Sequence, residues 1–153
     1  MANTQSMCTS FMGELLTATH NFGTAPVRAA TTADTFKAAL YLASATIDST
    51  TTAYTATGEV SGTNYTAGGV TVLNSVAPTT SGTTGYWTPS SSIVYTNVTL
   101  TTAFDCVLIY NSTQGNRAVS VHTFGSQTIT AGTFTLTMPS NTTSTALLRF
   151  ATV

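Results

Sequence analysis

Two histidines, two cysteines and five acids carry nearly all the chemistry open to this chain. His122 has Ser126 close by in sequence and Asp105 on another predicted strand, so a nucleophile, a base and an orienting acid can be assembled on paper. Serine and threonine are so abundant, however, that any histidine has a hydroxyl near it by chance, and no G-x-S-x-G elbow marks a nucleophile. His20 lies far from His122, in a different predicted element. Cys8 and Cys106 lack CxxC spacing. A zinc site would need both to meet His20 and His122 without any local ligand pair. Cys106 alternates with Phe104 and Leu108 and reads as a small core residue, and Cys8 falls on an apolar stripe with the same reading. No catalytic residue, metal ligand or cofactor is therefore expected, and the chain is read as non-enzymatic.

Among the acids, Glu14 sits on a predicted helix, and Asp34 and Asp48 flank a predicted strand. Glu59, before Val60 in a strand-turn context, reads either as a solvated strand end or as an interface partner for an arginine. The sequons at Asn64, Asn97, Asn111 and Asn141 are what a threonine-rich chain produces by chance and are not read as glycan sites. Gly85-Tyr-Trp-Thr-Pro89 places the only tryptophan beside a tyrosine. Either the segment folds its aromatics onto its own core, or Tyr86 and Trp87 form an exposed anchor of the kind enriched at binding hot spots.

The elements that must position these residues are mostly strands. The exception is Cys8 to Thr19, where Cys8, Phe11, Met12, Leu15 and Leu16 form the stripe of an amphipathic helix, with Gly23 as a stop. Phe36 to Ile47 fits two readings: alternation at Phe36, Ala38, Leu40 and Leu42 suits a strand, the alanines and Lys37 suit a helix, and the Thr/Ser-rich residues that follow favour the strand. Ala53 to Val60 and Val70 to Val76 come next, with Gly62, Gly68 and Gly69 as turns. Pro78 to Pro89 reads as a loop. Ile93 to Leu100 and Phe104 to Tyr110 are two further strands, the second the most apolar and the one expected at the centre. Asn111 to Asn116 is a hairpin loop, and Ala118 to Phe124 returns from it. Gln127 to Thr130 and Thr133 to Met138 form a hairpin turning at Ala131-Gly132, and Ala146 to Val153 closes the chain. Turns every 8–12 residues between short strands are the pattern of an all-β sandwich or barrel. A helix and arm over 1–30 followed by one domain over 31–153 is the expected organisation.

Only 6% of the 153 residues are charged, four basic and five acidic, while 42% are hydrophobic. An ordinary soluble domain carries about 25% charged residues. Hydroxyls replace the missing charge: threonine supplies roughly a quarter of the chain, well above ordinary usage. Threonine suits a pleated, half-buried surface and gives the wet face polarity without charge. The cost is uncharged strand edges, which are templates for pairing with other chains. Four scattered cations give no footprint for nucleic acid. No apolar run nears the roughly 18 residues of a membrane helix. The start, MANTQSMCTSFMGELL, lacks the basic, apolar and cleavage regions of a secretory signal, so an intracellularly made product is expected. With so little charge to keep copies apart, life in an assembly is the favoured context.

The stretches Phe36-Lys-Ala-Ala-Leu-Tyr41, Gly58-Glu-Val-Ser-Gly62 leading to Tyr65-Thr-Ala-Gly-Gly69, and Thr130-Ala-Gly-Thr-Phe-Thr-Leu-Thr137 are similar to small virion structural proteins of tailed bacteriophages. The resemblance covers most of the chain after about residue 30. Asn64 stands where the family pattern has glycine, and asparagine is the next-best residue for positive φ. The resemblance implies a head decoration (cement) or head-fibre protein with a β-sandwich or jelly-roll module, and no catalytic residues. The expectation is thus an all-β, jelly-roll-like sandwich with one short N-terminal helix, acting on the capsid exterior. Its partner would be the major capsid protein, bridged by a homodimer or homotrimer, with neither nucleic acid nor membrane bound. Phe11, Met12, Leu15, Tyr86 and Trp87 are the expected interface residues. A tail or head-fibre adaptor, or a secreted carbohydrate-binding sandwich using the Tyr86–Trp87 segment as a sugar platform, are the alternatives.

Overall fold

A computed structural model of the chain describes residues 3–8, 10, 11, 15, 19, 20, 22, 33–73 and 76–151. Among the described residues eight strands form two antiparallel sheets, an all-β, sandwich-like architecture. They are β1 (Ser6–Met7), β2 (Phe36–Leu42), β3 (Val70–Val72), β4 (Thr79–Ser81), β5 (Thr84–Trp87), β6 (Ile93–Asn111), β7 (Arg117–Leu136) and β8 (Leu148–Ala151). The larger sheet runs β1-β7-β6-β2-β3 and the smaller β4-β5-β8.

The expected N-terminal helix is not seen as an element. Ser10, Phe11 and Leu15 have helical backbone, and most of the rest of Cys8–Thr19, Met12 included, lies outside the described residues. Before it comes a strand that carried no sequence signal. Ser6 pairs with Val121 and Met7 with Ser120, and the Cys8 amide donates to the Val119 carbonyl.

The dominant element is the β6–β7 hairpin, closed by the expected Asn111–Asn116 loop with Gly115 and Asn116 at positive φ. Here the expected segmentation is corrected. Ile93–Leu100 and Phe104–Tyr110 are one strand, and Ala118–Met138 is not broken by a hairpin at Ala131-Gly132. The chain runs straight through that point, with Gly132 opposite Val98. Ala131 and Asn97 take positive φ (45° and 51°), and the register shifts on either side of Val98. These are β-bulges, which use the same small, left-handed residues as a turn but bend a strand without reversing it.

The centre of β6 is buried on both faces, which explains its continuous apolar run of Val107-Leu-Ile-Tyr110. On one face, Phe36 of β2 stacks on Phe22 at 4.4 Å, and Phe22 meets Trp87 of the smaller sheet at 4.9 Å. The other face is roofed by the segment 53–69. That segment was expected to contain a strand over Ala53–Val60, but it makes only isolated bridges at Ala53, Glu59 and Thr63. It is held by side chains instead. Tyr54 stacks on Tyr110 at 4.8 Å and Tyr65 on Tyr95 at 5.9 Å. Tyr110 donates to the Gly68 carbonyl, Tyr95 to Ala38 and Tyr41 to Thr55, at 2.8, 2.8 and 2.6 Å. Asn64 adopts φ 60°, the left-handed turn anticipated for it.

Burial holds the phenols of Tyr41, Tyr54, Tyr65, Tyr95 and Tyr110 above their ordinary value of 10, Tyr54 at about 12. A phenol raised on folding favours the folded state fully below pH 10, and that support is lost as pH climbs past it. Alkaline titration should therefore show these five phenols ionising in one steep, cooperative transition well above pH 10, coincident with loss of β-sheet circular dichroism. Gradual ionisation of the five near pH 10 with the sheet intact would contradict the roof described here.

Candidate functional site

The two segments singled out as anchors meet in space. Leu15, Phe22, Tyr86, Trp87, Leu148 and Phe150 line an apolar groove of about 240 Å³ that runs along the three strands of the smaller sheet. Tyr86 and Trp87 are not in a loop, as expected, but in β5, which pairs with β4 through a two-residue turn at Gly82-Thr83. Gly82 has φ 57°, the conformation a Gly-first hairpin turn requires. Alternation along β5 then separates the two rings. Trp87 is 2% exposed and donates its indole N–H to the Val76 carbonyl at 2.7 Å, so it is a core residue and not a free platform. Tyr86 is only partly buried. Phe11 is fully buried against His20, with ring centroids 4.9 Å apart, while Leu15 packs at the core's margin. Met12 lies outside the described residues. Phe150, 41% exposed opposite Gly85, is the large apolar surface residue of this groove that the sequence reading missed.

The second candidate surface is an edge. β1 pairs with β7 only at Ser120 and Val121. From Thr123 to Leu136 no strand pairs with the outer side of β7 among the described residues, and that stretch contains no charged residue. Its alternate residues Ile129, Phe134 and Leu136 rest on the core, and Thr128, Thr130, Thr133 and Thr135 are exposed.

The paper triad is not assembled. Asp105 accepts a hydrogen bond from the Asn3 amide, and Ser126 is exposed on β7. His122 instead meets Ser120, two residues before it on the same strand face, with Nε2 and Oγ 2.9 Å apart. Burial lowers the His122 pKa to about 4 and keeps the ring neutral. His20 is in a separate buried network in which the Asn111 amide bonds His20 Nδ1 at 3.0 Å and donates to Asp34 at 2.7 Å. Asn111 is therefore closed to glycan attachment. Glu59 is neither a solvated strand end nor bound to an arginine. It accepts from Tyr54 at 2.6 Å, from Tyr65 at 2.7 Å and from the Gly68 amide at 2.8 Å.

No family model, curated protein or solved structure matches the chain.

Cys8 and Cys106 are buried and not disulfide-bonded, and burial pushes the Cys106 thiol up to about 12, which leaves it unreactive near neutrality. Among the described residues no cluster of three or more His, Cys, Asp or Glu could hold a metal ion. No helix there is long and apolar enough to cross a membrane. What the arrangement offers is surface: an aromatic-lined groove and a bare strand edge, both of which can bury against another protein.

Proposed function

We propose that this chain is a non-enzymatic structural protein of a tailed-phage particle, a decoration (cement) protein on the capsid exterior that bridges major capsid protein subunits. The observation that carries this reading is the outer side of β7. Native proteins normally guard such an edge with lysines, prolines or a covering element, because its open backbone groups invite another strand. This edge has bulges but neither charge nor proline, which suits a chain whose edge is occupied in its working state. The apolar groove with Leu15, Tyr86 and Phe150 supplies a second contact. Small contacts repeated over a shell, or linked by dimers or trimers, add strength through effective concentration. Binding to the assembled shell then stabilises that state.

Particles lacking the protein should assemble but rupture at lower temperature or milder osmotic shock, and adding the purified chain should restore resistance. A chain with Thr128→Lys and Thr133→Lys, two exposed positions on the β7 edge, should fold yet fail to restore it. Equal heat resistance with and without the protein would count against cementing. A copy number of a few per particle, read by gel densitometry, would favour a fibre or tail adaptor instead.

A further inference from the structure

We propose that the cleft between the two sheets is a binding site for a small amphipathic carboxylate, an aliphatic chain ending in one anionic head. This does not depend on the shell-binding reading: the cleft shares Leu148 with the groove and Leu136 with the β7 stretch, but its test reads ligand affinity and not particle stability. The cleft has a volume of about 560 Å³, within the 300–1,000 Å³ of small-molecule sites. The cleft is open to solvent and its lining mixes apolar with polar residues, the composition of a site that takes a tail and a head group together. Val107, Ile109, Leu136 and Leu148 make an apolar lining suited to a hydrocarbon tail.

Beside Gln5, Ser6, Thr137 and Thr145, three polar residues of the lining set its head-group preference. Arg149 is the sole charged residue that lines it, and its guanidinium has no partner among the described residues. No acid lines the cleft, so the lining carries one uncompensated positive charge. Ser120 is 2% exposed and its hydroxyl meets only His122 Nε2. A buried hydroxyl hydrogen needs an acceptor, so Ser120 donates to Nε2 and the imidazole proton sits on Nδ1. That Nδ1–H has no partner among the described residues and remains a donor for a ligand. An Arg fork and a neutral N–H donor, with no competing carboxylate, favour an anionic oxygen pair over a neutral or cationic head.

The test uses the full chain and decanoate, with decanol and decyltrimethylammonium as matched tails. Calorimetric titration should give one saturable decanoate site, with decanol at least about tenfold weaker and the cation not bound. Arg149 is exposed, so Arg149→Gln should fold normally and lose about tenfold in decanoate affinity, the scale of one charge-assisted hydrogen bond. Ser120→Ala frees the proton to move between ring nitrogens and should also weaken decanoate. The His122 ring signals should move along the same saturation curve, and those of His20 should not. Decanol binding as tightly as decanoate, an Arg149→Gln variant with unchanged affinity, or His122 signals indifferent to decanoate would each overturn the proposal.

Discussion

Replacing Gly69 by alanine should destabilise the chain by more than about 4 kcal/mol, the range reserved for severe core lesions. Gly69 has φ 71° and lies where β3 begins to pair with β2. A methyl there would sit 1.7 Å from the Ala38 carbonyl oxygen and 2.5 Å from its carbon. Those atoms are backbone and cannot swing aside. The same oxygen also accepts the Tyr95 hydroxyl, so relief means lifting β3 off the sheet and breaking a buried hydrogen bond together. Gly115 provides the control. Its φ is 64°, but an added methyl would meet nothing within 4 Å. Gly115→Ala should cost only the left-handed penalty, about 1–2 kcal/mol. Urea denaturation of both variants separates clash from conformational strain, and equal losses would show that the close approach of Gly69 to β2 is not maintained in solution.

Glu59→Ala should cost about 3 kcal/mol, from several hydrogen bonds to one carboxylate lost together. Two phenols and the Gly68 amide then lose their acceptor, and the 53–69 roof loses the tie that joins its two ends. Glu59→Gln keeps one oxygen acceptor and offers an amide donor to the other hydroxyl, so it should retain a good part of the stability. Amide hydrogen exchange gives the local view. Protection of Leu40, whose N–H donates to Tyr65 at 3.0 Å, should fall in Glu59→Ala before the β6–β7 amides are affected. If Glu59→Ala proves as stable as the parent, the carboxylate is solvated and the roof stands on ring stacking and the Tyr41 and Tyr110 hydrogen bonds.

How far these features could be read from the chain depends on whether the deciding partner is local. The lean toward a strand at Phe36 and the central place of Phe104–Tyr110, with Cys106 buried in it, follow from short-range alternation, and the Asn111–Asn116 loop from its turn residues. Cys8, expected on a helical stripe, is buried just after β1. Ala131-Gly132 does not, because a bulge and a turn ask for the same residues. Only the strand opposite, with Val98 facing Gly132 and the Thr99 hydroxyl accepting the Ala131 amide at 2.9 Å, tells them apart. The β4–β5 hairpin did carry a signal, Ser81-Gly82-Thr83-Thr84 with glycine first, but the breakers around it hid the pattern. Glu59 was misread because its partners are phenols and an amide, and neither leaves a charge pattern. The convergence of Leu15 with Tyr86 is a product of sheet packing, beyond the reach of any window along the chain.

The lone indole of this protein is wedged where its two layers join, touching Phe22 and Phe36 while its N–H is tied to a connecting segment. Its emission is therefore a built-in gauge. Fluorescence colour and quenching will report whether the layers stay together when the molecule docks, swells or ages, with no label attached.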